Sequence, residues 1–449
     1  MRKPLLILLP SLALVLAALV FLELRRREAE TWSTDSPAAL AAFERGLQAH
    51  MRLYGEEAKA ELEAALAADP GFLAPRFFLF DLSGSHGGGE EHAAAIRAAD
   101  LSALRPRERF LATFFRAVAD RDDERAGRVV EEFLAARPRD PWALHLAAFR
   151  AWNRAEWERA EELYERLVKV DPNWVLAHNH LGYIAMGQGR FADSEARFRT
   201  YAFVAPDQAN PHDSLGELLI LLGRYDEARA ELERAVELRP DFCASYRNLL
   251  RATLFADRVD EVEGILTRAG SQCPGEMVEG MACHAATWEA LRTGRAKPFW
   301  DDLESRCPRK VSPLDLLRFR LALLGGGAEA ARSQLAQAEA RVAEIPGELA
   351  FGAKGMPRAL VLHMRGLLAL AAGAADEACE LLREADERLL YFGSVGGGTI
   401  KLFNRAVLAM ALDRAGRGGE AEALRAEIAA VNPDLARFDD TQLVDLPPP

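Results

Sequence analysis

The sequence predicts an all-α fold, a solenoid of helical hairpins stacked one on the next, and three observations predict it. The stretch from Val175 to Phe242 carries the same 34-residue pattern twice. Prolines carry that period well beyond it: Pro138, Pro172, Pro206, Pro240, Pro274 and Pro308 each stand 34 residues apart. The composition is 50% hydrophobic and rich in Ala, Leu, Glu and Arg, with few β-branched runs, which favours helix over strand.

Within the doubled stretch, Leu181-Gly182 is answered by Leu215-Gly216, and Gly189-Arg190-Phe191 by Gly223-Arg224-Tyr225. With 22 prolines in 449 residues, a chance proline at each step has odds of about one in twenty, so the shared phase is not accidental. Each unit reads as two antiparallel helices joined by a short turn. Small residues stand where the two helices must approach: Gly46, Gly182, Gly216 and Gly366 in the first, Ala58, Ala126, Ala160, Ala228, Ala378 and Ala421 in the second. Gly189 and Gly223 accept the left-handed backbone that ends the first helix. The repeat proline stands where the second helix must stop, since it lacks an N–H and disfavours helix before it.

These residues resemble the tetratricopeptide repeat, a 34-residue unit with the pattern W-x2-L-G-x2-Y, then A-x3-F, then P. Leu181, Gly182, Phe198 and Pro206 match it in one repeat, and Leu215, Gly216, Ala228, Ala235 and Pro240 in the next. The tryptophan of the pattern is replaced by Leu144, His178, His212 and Tyr246. The resemblance implies a right-handed α-solenoid of about 11 hairpins between Ala39 and Leu435. Eight repeats are expected in 39–310, the second of them (73–106) degenerate. A weaker repeat and a Gly/Pro linker fill 311–358, two further repeats fill 359–435, and 436–449 is a C-terminal tail.

Ahead of the array, Arg2-Lys3 precedes an uncharged run from Pro4 to Leu22, closed by Arg25-Arg26-Arg27. Nineteen helical residues span about 28 Å, the hydrocarbon thickness of a bilayer, so residues 1–25 are expected to form a transmembrane anchor. A cleaved signal is the other reading, but the end of the run, Val20-Phe21-Leu22-Glu23-Leu24, lacks the small residues of a cleavage site. Residues 26–38 would be a tether. Lys and Arg counts of two before the run and three after nearly balance, so they leave topology open. The repeats are expected on the periplasmic or another extracytoplasmic side.

A net charge of −12, spread along the chain, excludes the basic stripe that a nucleic-acid surface requires. The sequence contains no nucleophile elbow, P-loop, kinase signature, zinc-protease motif or paired cysteine motif, and no cofactor or metal site is expected. His178, His180 and His212 read as core or turn residues, since His178 and His212 occupy positions where the family buries an aromatic. The chain is not expected to be an enzyme.

The resemblance also implies that first helices line a concave surface that holds an extended peptide. Its positions map to Phe115, Trp142, Phe149 and Trp152, then Asn179 and Tyr183, then Arg247 and Arg251. Such aromatics each bury about 150–250 Å², so an apolar peptide-binding groove is one reading. Packing against a neighbouring superhelical turn is the other. The carboxylate clamp of the chaperone-binding members is not reproduced. Cys243 and Cys273 fall at the same end of one hairpin, so they are either a disulfide or two core thiols. The expected function is a membrane-anchored scaffold for a protein or peptide partner. A regulatory or sensory subunit of a membrane enzyme or transport complex is the alternative.

Overall fold

The computed structural model describes residues 32–83, 89–307, 312, 314–345, 355–391 and 398–435. The expected N-terminal span lies outside these residues, as do 392–397 and the tail 436–449. Among the described residues no helix is long and apolar enough to cross a membrane. All regular structure among them is helical, in two compact units, Met1–Ala147 and Ala148–Pro449.

The first unit holds α1 (Pro37–Met51), α2 (Gly55–Ala68), α3 (Ala74–Ser83), α4 (Glu90–Ala98), α5 (Pro106–Ala119), α6 (Asp123–Ala136) and the start of α7 (Pro141–Asn153). Caps set the starts. Ser36 Oγ accepts from Ala39 N at 3.2 Å with Pro37 in the first turn, and Asp122 accepts from Arg125 N at 2.9 Å. Phe43, Phe72, Phe77 and Leu111 are fully buried, each worth about 1.5–3 kcal/mol of transfer from water. Phe77 stacks on Phe115 at 5.3 Å, and Phe43 meets Phe72 edge-on at 5.1 Å. A strap ahead of α1 is tied down at several points. Trp32 packs edge-on against Phe43 (4.7 Å), Ser33 N donates to Glu108 Oε2 (2.6 Å), and Thr34 Oγ1 donates to Asp69 Oδ2 (2.6 Å).

The second unit opens with the most regular hairpins. Helices α8 (Trp157–Val170), α10 (Phe191–Val204) and α12 (Tyr225–Leu238) are second helices of 14 residues each. Between them lie first helices α9 (Val175–Gly187) and α11 (Ala209–Leu221), followed by α13 (Cys243–Phe255). Pairs close because a glycine receives a large side chain. A Cβ on Gly182 would lie 2.4 Å from the Phe198 ring, and one on Gly216 would lie 2.6 Å from Leu232. Ion pairs then link one hairpin's turn to the previous second helix, Arg190 to Glu161 at 2.6 Å and Arg224 to Glu195 at 2.9 Å.

Beyond Phe255 the pattern breaks. The next second helix is a 3-10 turn and α14 (Val262–Gly270), nine residues long. After α15 (Gly275–Arg292), the partner helix is split into α16 (Ala296–Asp301) and α17 (Leu303–Arg306). Then α18 (Leu316–Leu321) runs through a π-turn, Ala322–Gly326, into α19 (Gly327–Glu344). Order returns in α20 (Gly355–Ala371) with α21 (Ala375–Arg388), and α22 (Thr399–Arg414) with α23 (Gly418–Val431). Gly366 against Leu382 repeats the glycine contact of the central hairpins (2.7 Å). This last pair of helices returns to the middle of the unit, where Phe403 meets Phe255 at 6.1 Å.

Candidate interaction surfaces

Equivalent residues on α9, α11 and α13 recur every 34 or 35 positions, and they touch. Tyr183 OH donates to Glu217 Oε2 at 2.9 Å and lies 3.3 Å from Ser214 Oγ, and Ser214 Oγ donates to Asn179 Oδ1 at 3.0 Å. Ser245 Oγ (2.8 Å) and Asn248 Nδ2 (3.1 Å) both donate to Asp213 Oδ1, and Arg251 Nη1 donates to Asn248 Oδ1 (3.3 Å). The result is a polar ladder across three first helices. Asp213 and Glu217 lie one turn apart on α11, so both carboxylates face the same way.

Burial pushes the Asp213 carboxyl up, opposed by hydrogen bonds from Ser245 and Asn248 and by the charges of Arg247 and Arg251. Burial also raises Glu217, with Arg251 the main counterweight. Arg251 is itself pulled down by burial and drawn back by Glu217. Removing one member therefore leaves the others buried and uncompensated, the costly way to break such a network.

A second cluster is aromatic. The His180 ring stacks on Tyr164 at 4.7 Å and meets Trp152 edge-on at 4.9 Å and Phe149 at 6.0 Å. Its Nδ1–H donates to Leu176 O at 2.7 Å. Burial lowers its pKa to about 4, so the ring is neutral near pH 7. Trp152 also packs edge-on against Trp157 at 5.4 Å. At its rim Phe149 is 39% exposed.

The groove residues expected from the sequence are thus dispersed. Phe115, Trp142, Trp152 and Asn179 are buried: Phe115 against Phe77, Trp142 against Phe78 (5.5 Å), Trp152 in the His180 cluster, and Asn179 in the ladder. Tyr183 and Arg251 are half-buried, and Phe149 and Arg247 are exposed. Of the two readings the sequence left open, packing describes Phe115 and Trp142 in the first unit and Trp152 in the second, which fill space between helices, while Phe149 presents its ring to solvent. Separately, a groove of about 640 Å³ lies between α19, α20 and α21. Its floor is Val342, Val361 and Leu362, with Arg358, Arg365 and Arg388 beside Glu339 and Glu384 around it.

Cys243 and Cys273 are joined as a disulfide with Cα atoms 5.7 Å apart. A second disulfide, Cys283–Cys307 (Cα separation 5.4 Å), was not anticipated, although it too closes the start of a repeat onto its end. Cys379 is a buried free thiol. Among the described residues no group of His, Cys, Asp and Glu could hold a metal ion.

Helical hairpins repeating every 34 residues, closed by glycine against a large side chain, define an α-solenoid. Residues 146–213 and 180–242 match the tetratricopeptide repeat family, so this stretch of the chain consists of tetratricopeptide repeats. No curated protein matches it in sequence. Three solved structures resemble parts of it in fold. PilW, described as a widely conserved type IV pilus biogenesis factor, aligns at 18% identity over 51% of this chain and 91% of its own, with a TM-score of 0.34. The APC/C hetero-tetramer Cut9–Hcn1 aligns at 14% identity over 92% and 76%, with a TM-score of 0.46. A tetratricopeptide repeat protein from Parabacteroides merdae aligns at 13% identity over 61% and 98%, with a TM-score of 0.41.

Proposed function

We propose that the protein is a membrane-anchored tetratricopeptide scaffold that holds a protein partner outside the cytoplasm and performs no chemistry itself. The observation that carries this reading is the hairpin array, the kind of surface its family uses for protein contact. Two disulfides support an oxidising compartment, where such bonds persist. The uncharged run Pro4 to Leu22, bracketed by basic residues, supports the anchor. Phe149, exposed above Trp152 and His180, offers a partner an apolar ring on a rigid aromatic base.

The test is affinity capture of the full chain from solubilised membranes, run beside Phe149→Ala. The scaffold reading expects several partners from the native chain and about tenfold less capture by the variant at unchanged melting temperature. Equal capture by both forms would sink the Phe149 surface. A single stoichiometric partner would favour a regulatory subunit of a membrane complex instead. A reporter fused to the C-terminus that is active only in the cytoplasm would overturn the extracytoplasmic placement.

A further inference from the structure

The turns after six of the first helices each place one residue in the left-handed region, and those residues keep the 34-residue phase. They are Leu53 (φ 63°), Arg121 (58°), Ala155 (58°), Gly189 (76°), Gly223 (74°) and Asp257 (59°). Four repeats therefore make this turn with a side chain present, so backbone conformation alone does not require glycine at Gly223. What does require it lies outside the turn. A Cβ on Gly223 would stand 2.4 Å from Oδ1 of Asn432, at the end of α23 and more than two hundred residues away.

Asn432 is fully buried there. Its Nδ2 donates to Tyr225 OH (3.1 Å) and Ile220 O (3.4 Å), while its Oδ1 accepts from Asp434 N (3.1 Å) and Leu435 N (2.9 Å). The equivalent residues of two other repeats are aspartates, which accept from the backbone in the same way but are only half-buried. They are Asp69, bonded to Gly71 N (3.0 Å), and Asp171, bonded to Asn173 N (3.0 Å). The cap accepts either residue. The contact with Ile220 O requires the amide, because a carboxylate would set acceptor against acceptor. Around Asn432 the same seam continues through Tyr391 edge-on to Phe191 (5.1 Å) and Arg251 Nη2 donating to Thr399 Oγ1 (3.1 Å).

We propose that the hairpin α22–α23 is a latch. In this structure it is shut on the ends of α11 and α13 and holds Arg251, at one end of the polar ladder. Released, it frees that end of the ladder for a partner, so the proposal rests on the scaffold reading for its use but not for its existence. The repeats themselves stack through fully buried apolar side chains. The seam, by contrast, is made of polar tips and ring edges, so it is the joint that parts first.

The variant that tests the seam is Asn432→Asp, which keeps the size and the cap of the residue, turns its donor into an acceptor and places a carboxylate in the buried joint. Asp171→Asn, the mirror change in a repeat that meets no latch, is the control. Backbone hydrogen exchange is followed on the full chain, together with the reactivity of Arg251 toward phenylglyoxal. The latch expects exchange about tenfold faster across 399–431 and 209–221, with 39–68 unchanged and Arg251 newly reactive. Tyr225→Phe, which removes one partner of Asn432, is expected to give a smaller rise in the same segments. Exchange no faster than in Asp171→Asn, or a rise spread evenly over the whole chain, would overturn it. Neither readout needs a partner, so a failed capture would count against the scaffold reading and leave the latch standing.

Discussion

The central hairpins of the second unit and those that follow Phe255 solve the same problem by different means. In residues 157–238 every second helix has 14 residues, and the hairpins α9–α10 and α11–α12 close on a glycine seated against Phe198 or Leu232. After Phe255 the second helices shrink to nine residues in α14, then split into pieces of six and four in α16 and α17. Both disulfides of the chain fall in these two weakened repeats, Cys243–Cys273 in the first and Cys283–Cys307 in the second. A short second helix buries less apolar surface against its neighbours, so the covalent tie stands in for stacking that the sequence does not supply.

The sharpest way to break that comparison is to remove the ties. Replacing Cys243 and Cys273 together by alanine is expected to cost about 3–4 kcal/mol, as a closed loop of this size implies, with a melting transition that loses the later repeats first. A denaturation curve in which the central hairpins melt at the same point would argue against the division of labour.

Acid reaches both regions. His180 and His363 each have a pKa pulled to about 4 by burial, while an unfolded histidine takes its proton near pH 6.5. Between those values the unfolded chain binds more protons, so stability falls as pH drops from about 6.5 to about 4, by at most about 3 kcal/mol per histidine. His363, fully enclosed with Nδ1–H donating to Asn404 Oδ1 at 3.0 Å, carries the fuller effect, and half-buried His180 carries less. His363→Asn is expected to flatten the profile of urea midpoints against pH over that window.

Within the central hairpins, Gly182→Ala should cost about 2 kcal/mol, because the added methyl has no room beside the buried Phe198 ring. The smallest effect expected is a gain. Ala155→Gly relieves a left-handed alanine and should raise stability by about 0.5–1 kcal/mol, read as a shift in thermal midpoint.

What the sequence made legible follows from the range of each interaction. The hairpin period, the glycines at Gly182 and Gly216 and the prolines after most second helices are local or one-repeat effects, and the residues declare them. The resemblance implies which positions on α9, α11 and α13 line the inner surface. It does not give the burial of such positions, because Trp142 and Trp152 look the same in a sequence whether they face water or a neighbour. The seam was illegible for a stronger reason: Asn432 acquires its meaning from Gly223 and Ile220, and nothing near it in the chain differs from a routine helix cap. The second disulfide had a readable signal, since Cys283 and Cys307 also lie toward opposite ends of one repeat.

The strap ahead of α1 has a mechanical consequence. A solenoid pulled from its end ordinarily peels, one helix at a time, because each repeat touches only its neighbours. Here a force applied at residue 32 does not meet α1 alone. Ser33 is bonded to Glu108 on α5, Thr34 to Asp69 beyond α2, and the Trp32 ring is wedged on Phe43. The load enters the first and third hairpins at once, so traction on the amino-terminal end is shared across the first unit rather than borne by α1 alone.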